Sequence, residues 1–240
     1  SKSFQPEIEV RAIRDLLRHR KRFIEEINKS ANAIQKELEQ MNIKYHTVIS
    51  DIQGKTGQKI LQAIVNGERD PEKLAEYRDR RIKASREEIV KSLQGFWKEE
   101  YVFMLAQHYD LLQNLRGKLH EIDRELQKHL KAYVAKQNDG GLPDEIENQE
   151  NHIPRNPKND LIFDATPYLK HIYGVDVTAI DGIKGLGALT IFSEIGSDLS
   201  HWPTEKHFTS WLGCAPKDEI SGGKLLSSKT DKKKNVAGQV

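Results

Sequence analysis

The chain has 240 residues, a length that fits one or two domains. Charged residues make up 31% of it, which is high for one compact globule and suits long exposed helices. The formal net charge of +2 excludes a global basic field, so any basic surface has to come from a local cluster. The single cysteine, Cys214, excludes an internal disulfide framework and a cysteine-rich zinc site. We find neither a long apolar run nor a signal-peptide pattern, and we therefore expect a cytoplasmic protein.

The first predicted element is one long helix from about Pro6 to Ser50, with Pro6 in its first position. Its seam residues recur in alternating steps of four and three, which is typical of a coiled coil. They are Ile13, Leu17, Arg20, Ile24, Ile27, Ala31, Ile34, Leu38 and Met41. Only Arg20 interrupts the apolar character, and so narrow a seam needs a partner helix in water.

A second long helix is predicted from Glu87 to about Lys136, with the same alternation of steps. Its seam consists of His108, Leu112, Leu115, Leu119, Ile122, Leu126, His129 and Tyr133. The two helices fit one antiparallel coiled-coil hairpin or half of an intermolecular bundle, and the sequence leaves both open. We interpret the two histidines as polar breaks that fix the register, in preference to metal ligands.

Shorter elements follow from turn and cap signals. Residues 54–84 predict two short helices at the tip of the hairpin, one ended by Asn66-Gly67 and one begun by Asp70 and Pro71. Residues 137–163 are rich in Pro, Gly and acids and predict a linker that is disordered or loosely laid on the surface. The predicted fold is mainly α: a long antiparallel coiled-coil hairpin over 1–136, then a small α-rich domain over 164–240 with little strand.

The segment from Ile180 to Gly196 predicts a helix, a tight glycine turn and a second helix. This pattern is typical of a helix–hairpin–helix module, which offers backbone N–H groups and a helix N-terminus to a phosphate. Lys184 stands where that module prefers glycine, and its charge suits the same phosphate. An ordinary packed helical hairpin is the alternative interpretation.

The segment from Lys217 to Thr230 predicts a loop that contacts nucleic acid, against the alternative of a plain solvated loop. Two glycines after Ser221 allow close approach of the backbone to an anion, and Lys224 and Lys229 supply point charges. A further basic cluster lies on the first helix at Arg11, Arg14, Arg18, Arg20, Lys21 and Arg22, where a solvated face is equally compatible with the pattern. His201 and His207 lack further ligands at zinc spacing, so we exclude a zinc site there, and we interpret Trp202, Phe208 and Trp211 as core residues.

Four stretches resemble a known family of bacterial insertion-sequence transposases. They are Thr56–Pro71, Gly174–Ile183, Ser193–Gly196 and, most specifically, Phe208–Gly213 together with Ser221-Gly222-Gly223-Lys224 and Ser227-Ser228-Lys229-Thr230. These transposases combine an N-terminal Asp-Glu-Asp-Asp domain, folded like a Holliday-junction resolvase, with a coiled coil and a C-terminal serine domain. The family continues past Asn235 with a further helix, so we expect a C-terminally truncated serine domain here.

The resemblance implies that Ser221 is the catalytic serine of an RNA-guided transposase, which attacks a DNA phosphodiester and forms a transient phosphoserine link. It implies no cofactor in this chain and Mg²⁺ in the acidic domain, which we expect to be absent from it. The implied partners are donor and target DNA, a structured non-coding guide RNA and further copies of the chain, as a dimer or tetramer through the long helices, with no membrane. The residues expected to contact nucleic acid are Gly182, Lys184, Gly185, Gly187, Gly222, Gly223, Lys224, Ser227, Ser228, Lys229, Lys232, Lys233, Lys234, Asn235, Arg11, Arg14, Arg18, Lys21 and Arg22.

Two other functions remain compatible with the sequence. A non-catalytic nucleic-acid-binding scaffold would use the coiled coil and the hairpin module without chemistry at Ser221. A purely structural coiled-coil oligomer would bind RNA with little dependence on salt, whereas phosphate contacts make binding fall steeply as salt rises.

Overall fold

A computed structural model describes residues 4–49, 51–147, 149, 159–230 and 235–240. The α-helices are α1 (Ile8–Gln40), α2 (Lys55–Val65), α3 (Pro71–Ala75), α4 (Arg86–Ser92), α5 (Glu99–Gln137), α6 (Asp144–Glu147), α7 (Thr166–Tyr173), α8 (Gly185–Ile195) and α9 (Glu205–Leu212). Short 3₁₀ helices lie at Tyr45–Thr47, Val177–Ala179 and Ala237–Gln239, and β1 (Pro216–Ser221) pairs with β2 (Lys224–Thr230). The mainly α fold class is confirmed. Within these ranges, no helix has the length and apolar character needed to cross a membrane.

The chain divides into two compact units, both of which contain parts of α1 and α5. One unit comprises residues 1–20 and 122–240, and the other comprises residues 21–121. These units differ from the predicted boundaries at 136 and 164, because each long helix contributes to both of them. In the predicted linker, residues 144–147 form α6, whose Ile146 is buried. The remainder of the predicted disordered segment at residues 148, 150 and 151–158 lies outside the described residues.

The seam predicted on α1 is confirmed by burial. Ile13, Leu17, Arg20, Ile27, Ala31, Ile34, Leu38 and Met41 are all buried, and Ile24 is half-buried. On α5 the buried residues include Leu112, Leu119, Ile122, Leu126 and Tyr133, whereas His108 and His129 are only half-buried beside this stripe. The histidines therefore flank the apolar stripe.

The two long helices are shorter than predicted. The first begins at Ile8, so Pro6 lies before it, and it ends at Gln40 because Asn42 adopts a left-handed conformation (φ 58°). Asparagine accepts that conformation more readily than most residues. The second is interrupted after Ser92 by a close approach of Gly95 to the backbone oxygen of Met41, which leaves no room for a Cβ atom. The predicted continuous helix over Glu87–Lys136 is thus wrong in its first part.

The smaller unit has its own apolar core, formed by one face of α1, the short helices and one face of α5. Asp70 accepts a hydrogen bond from the backbone N–H of Glu72 (3.0 Å), and Pro71 is the first residue of α3, as predicted. Gly67 has φ 102° just after α2, which confirms the predicted end at Asn66-Gly67. The cap and turn signals therefore place these short helices correctly.

In the larger unit, α1 and α5 run antiparallel. Lys136 pairs with Glu9 (2.5 Å) and Arg20 with Asp123 (2.6 Å), so residue numbers rise along one helix as they fall along the other. The Arg20–Asp123 pair is buried, with 2% and 0% of the side chains exposed. A coiled-coil hairpin within one chain accounts for this pairing.

Candidate nucleic-acid interface and catalytic serine

The segment from Pro216 to Thr230, which we expected to be a loop, is a β-hairpin. Ser221 ends β1 and pairs with Lys224, the first residue of β2. The two residues between them, Gly222 and Gly223, have φ values of 57° and 77°. Positive φ at both central positions is the type I′ geometry, whose twist matches that of the flanking strands. The two glycines thus fix the turn that presents Ser221.

Ser221 is exposed at the end of its strand. Within the described part of the chain, no hydrogen bond reaches its hydroxyl group, from a histidine, a carboxylate or any other residue. A serine hydroxyl is a weak nucleophile unless a base or a metal activates it. The hairpin therefore presents a reactive group without its activating partner.

The hairpin also contains contacts that the sequence did not predict. Ser228 donates a hydrogen bond from Oγ to Oδ1 of Asp218 (2.6 Å), and these residues are direct cross-strand partners. Ile220 and Leu225 are likewise paired, and they are 66% and 59% exposed. A hydroxyl and a carboxylate that face each other across two strands are favourable neighbours. A hairpin centred on Gly222-Gly223 would have predicted this pair from the sequence.

The predicted helix–hairpin–helix segment from Ile180 to Gly196 lacks its first helix. A 3₁₀ helix at Val177–Ala179 ends just before it, and the segment itself consists of the glycine turn and α8. Gly182 has φ 88°, whereas Lys184 is extended (φ −102°, ψ 170°), so the lysine causes no left-handed strain at this turn. Lys184 precedes α8 and its side chain makes no capping hydrogen bond, so the N–H groups of the first turn remain available. Just before this segment, Thr178 donates to Asp176 from both its hydroxyl and its backbone N–H, and these bonds hold the pKa of Asp176 below its usual value.

A groove of about 520 Å³ lies beside the start of α8. Lys184 and Gly185 line it, together with Asp160, Asp164 and Thr166. Two carboxylates against one lysine do not make a strongly positive site, so phosphate binding at this turn depends on the helix N-terminus. Gly187 lies inside α8, where an added Cβ atom would come within 2.8 Å of Cγ1 of Val240.

The predicted basic cluster on α1 is partly committed to ion pairs. Arg18 binds Glu194 with two of its nitrogens, the closest contact being 2.8 Å, and Arg11 donates to Gln5 (3.2 Å). Arg20, which we counted in the cluster, is buried against Asp123 and unavailable to a phosphate. Further along the helix, Lys21 and Arg22 are exposed, and Arg14 is half-buried.

Asn235 has an internal role that the sequence did not indicate. Its amide nitrogen donates to the backbone oxygen of Trp211 (2.8 Å), and its amide oxygen accepts from the N–H of Gly238 (2.8 Å). The side chain thus holds the segment after the hairpin against the end of α9. The neighbouring Lys232, Lys233 and Lys234 lie outside the described residues.

The aromatic residues around α9 form one cluster with Phe4. Trp202 lies 4.8 Å from Phe4, 5.1 Å from Phe208 and 4.9 Å from Trp211, measured between ring centroids. Trp202, Phe208 and Trp211 are half-buried, so the predicted core role holds only in part. Among the described residues, no group of three or more His, Cys, Asp or Glu side chains is placed to hold a metal.

The turn geometry makes a prediction about Gly222. Replacing it with valine should destabilise the hairpin by about 1–2 kcal/mol, because a side chain strains a left-handed residue. Asparagine should be tolerated, since Asn-Gly is a preferred type I′ sequence. Nothing lies within 4 Å of a Cβ atom at Gly222, so any difference arises from the backbone alone. Cross-strand nuclear Overhauser effects between β1 and β2 measure it, and equal loss in both variants would contradict the type I′ assignment.

Comparison with known proteins shows that part of the chain is similar to a transposase family. Residues 176–237 match the family model described as the Transposase IS116/IS110/IS902 family. The match covers the glycine turn, α8, α9 and the hairpin that contains Ser221. No curated protein and no solved structure matched the chain significantly.

Proposed function

We propose that this chain contains the serine domain of an RNA-guided DNA transposase and that Ser221 is its nucleophile. The proposal rests on the placement of one residue. Ser221 is exposed, its hydroxyl group has no hydrogen bond among the described residues, and it lies directly before a glycine turn as the cross-strand partner of Lys224. This turn lies inside the segment that matches a transposase family. Glycine allows a phosphate close approach to the backbone, and lysine supplies the counter-charge.

The chemistry is a transesterification at phosphorus. Oγ of Ser221 attacks a DNA phosphodiester and forms a P–O bond to the serine, while the bond from phosphorus to one sugar oxygen breaks. The hydroxyl proton of the serine passes to the departing sugar oxygen, so atoms and charge balance. A second attack by a DNA hydroxyl on the phosphoserine then joins the strands and regenerates Ser221.

The activating group comes from elsewhere in the full-length transposase. The described residues offer neither a base at Ser221 nor a cluster able to hold Mg²⁺, so we derive no metal-dependent step from this chain. We assign Mg²⁺ to the acidic domain that the family resemblance implies. The chain alone should accordingly bind nucleic acid without cutting it.

DNA and a guide RNA are the proposed partners. Exposed Lys21 and Arg22 on α1 and the turn before α8 suit contacts with phosphates, which position a nucleic acid without reading its sequence. Sequence choice would then come from base pairing of the RNA with donor and target DNA, as in other guided systems. Assembly into a dimer or tetramer through the long helices belongs to the same proposal.

A covalent-trapping experiment tests the proposal. Full-length transposase, its element-end RNA, Mg²⁺ and labelled donor DNA are incubated and separated on a denaturing gel. We expect a labelled protein–DNA band, and after nuclease and protease digestion the nucleotide remnant should map to Ser221 by mass spectrometry. A remnant on another residue, or no adduct under conditions in which strand transfer occurs, would rule out Ser221.

The second candidate is a non-catalytic nucleic-acid-binding scaffold. It is favoured because no base is hydrogen-bonded to Ser221 among the described residues. Under this hypothesis the protein binds RNA and DNA with the same salt dependence as a transposase would, but it gives no covalent adduct. The trapping experiment therefore separates the two candidates.

A further inference from the structure

The register of the hairpin divides its side chains between two faces. Successive residues of a strand point to opposite sides, and direct cross-strand partners point to the same side. Ser221 therefore shares a face with Glu219, two residues before it, and with its partner Lys224. Asp218 and Ile220 lie on the opposite face.

A bulge in β2 decides where the lysines lie. Glu219 pairs with Ser227, whereas Ile220 pairs with Leu225, so Leu226 is an extra residue without a partner. In an uninterrupted strand Lys224 and Lys229 are five positions apart and would point to opposite faces. The extra residue brings Lys224 and Lys229 onto the same face, because a bulge sets two residues of one strand against one residue of the other. Ser221, Lys224, Ser227 and Lys229, together with Glu219, thereby share what we call the lysine face.

The opposite face has a different chemistry. It contains Asp218 with its hydrogen-bonded partner Ser228, and the exposed apolar pair Ile220 and Leu225. The carboxylate of Asp218 repels phosphate with no described lysine beside it, whereas Glu219 on the lysine face is outnumbered by Lys224 and Lys229. Only the lysine face offers cations to a DNA backbone.

We infer that Lys224 and Lys229 bind two separate phosphates of the strand that Ser221 attacks, and that the hairpin binds this strand through the lysine face alone. The inference rests on the proposed function of Ser221. Lys224 pairs with Ser221 itself and so belongs at the reacting phosphate. Lys229 pairs with residue 217, four residues back along β1, which is about 13 Å at the usual strand rise. That distance equals the axial rise of about four nucleotides of one DNA strand.

This assignment separates residues that the sequence grouped together. Ser227 lies on the lysine face, whereas the adjacent Ser228 lies on the other face and is already bound to Asp218. A lysine introduced at either position would stand directly opposite a carboxylate of β1, Glu219 in one case and Asp218 in the other. Positions 227 and 228 therefore serve as controls for each other, because each lies opposite a carboxylate and only the face of the hairpin differs.

The experiment moves one lysine between faces in the full-length transposase with its RNA. Lys229→Ala should lower the salt dependence of donor-DNA binding by about 0.9 in the slope of log K against log salt, the loss of one phosphate contact. Adding Ser227→Lys should restore that slope, whereas adding Ser228→Lys should not. The slope of each double variant is compared with that of its alanine counterpart, Lys229→Ala/Ser227→Ala or Lys229→Ala/Ser228→Ala. This comparison removes the effect of losing the serine.

The outcomes separate this inference from the proposed function. If the two lysine positions behave alike, whether both restore the slope or neither does, the inference is overturned even when the wild-type adduct forms. If Ser227→Lys alone restores the slope while no variant, including the wild type, gives an adduct, the face assignment stands and the nucleophile assignment fails. A loss of slope in Lys224→Ala equal to that in Lys229→Ala is expected, and an unchanged slope in either would also overturn the inference.

Discussion

Ser221→Ala is expected to abolish the covalent protein–DNA adduct and strand transfer in the full-length transposase. Removal of the nucleophile from an enzyme that acts through a covalent intermediate lowers the rate by up to about 10⁶-fold, so the product should fall below detection. Binding of donor DNA should stay within about twofold, because the change removes one exposed atom. The trapping gel measures the first effect, and a filter-binding titration measures the second.

Two variants sharpen this test. Ser210→Ala removes another exposed serine, from α9, and we expect it to leave both adduct and binding unchanged. Ser221→Cys keeps a nucleophile at the same turn and should give an adduct through sulfur at a reduced rate. An adduct that persists in Ser221→Ala would show that another group attacks the phosphate. The non-catalytic scaffold predicts strand transfer insensitive to all three changes.

The long helices could be predicted because their signal is local and repeated. Positions such as Ile13, Ile34 and Leu38 recur at helical spacing, and every turn adds another apolar residue to the same face. Their ends could not be predicted, because they depend on contacts between distant residues. Gly95 stops the second helix early through its fit against Met41, a residue more than fifty positions away in sequence.

The hairpin was missed because its alternation is polar on both faces. A strand is normally recognised by one apolar face, but β2 has lysine and serine on one side and leucine, serine and threonine on the other. The Gly222-Gly223 pair was nonetheless a recognised hairpin signal. The same two glycines also allow close approach of a phosphate to the backbone, and the predicted loop rests on that property alone.

The candidate site came from two kinds of information. The lysines and glycines around Ser221 indicated anion binding by chemistry alone, whereas the role of Ser221 as nucleophile came from family resemblance. Long-range pairing could not be foreseen from either source. Arg18 and Glu194 are 176 positions apart, and nothing local indicates that this exposed arginine is already paired.

Arg20→Met is expected to destabilise the larger unit by about 3–5 kcal/mol, the usual cost of removing one partner from a buried ion pair. Arg20 was predicted to be a flaw in the seam, and the structure gives it a partner there. Its guanidinium binds Asp123 (2.6 Å) and also donates to the backbone oxygen of Asp160 (2.8 Å). Methionine leaves Asp123 buried as an uncompensated charge. Chemical denaturation followed by circular dichroism measures the loss.

The double variant Arg20→Met/Asp123→Leu tests the origin of that cost. Replacing both charges with apolar groups removes the unpaired carboxylate, so the double variant should be more stable than Arg20→Met alone. It should still lose about 1–3 kcal/mol, because the hydrogen bonds that the oxygen of Asp160 and the N–H of Ile162 form with this pair are removed. Arg18→Met, at a partly exposed pair, should cost no more than about 1 kcal/mol. A double variant as unstable as the single one would mean that Arg20 stabilises the seam by packing, and that its charge adds little.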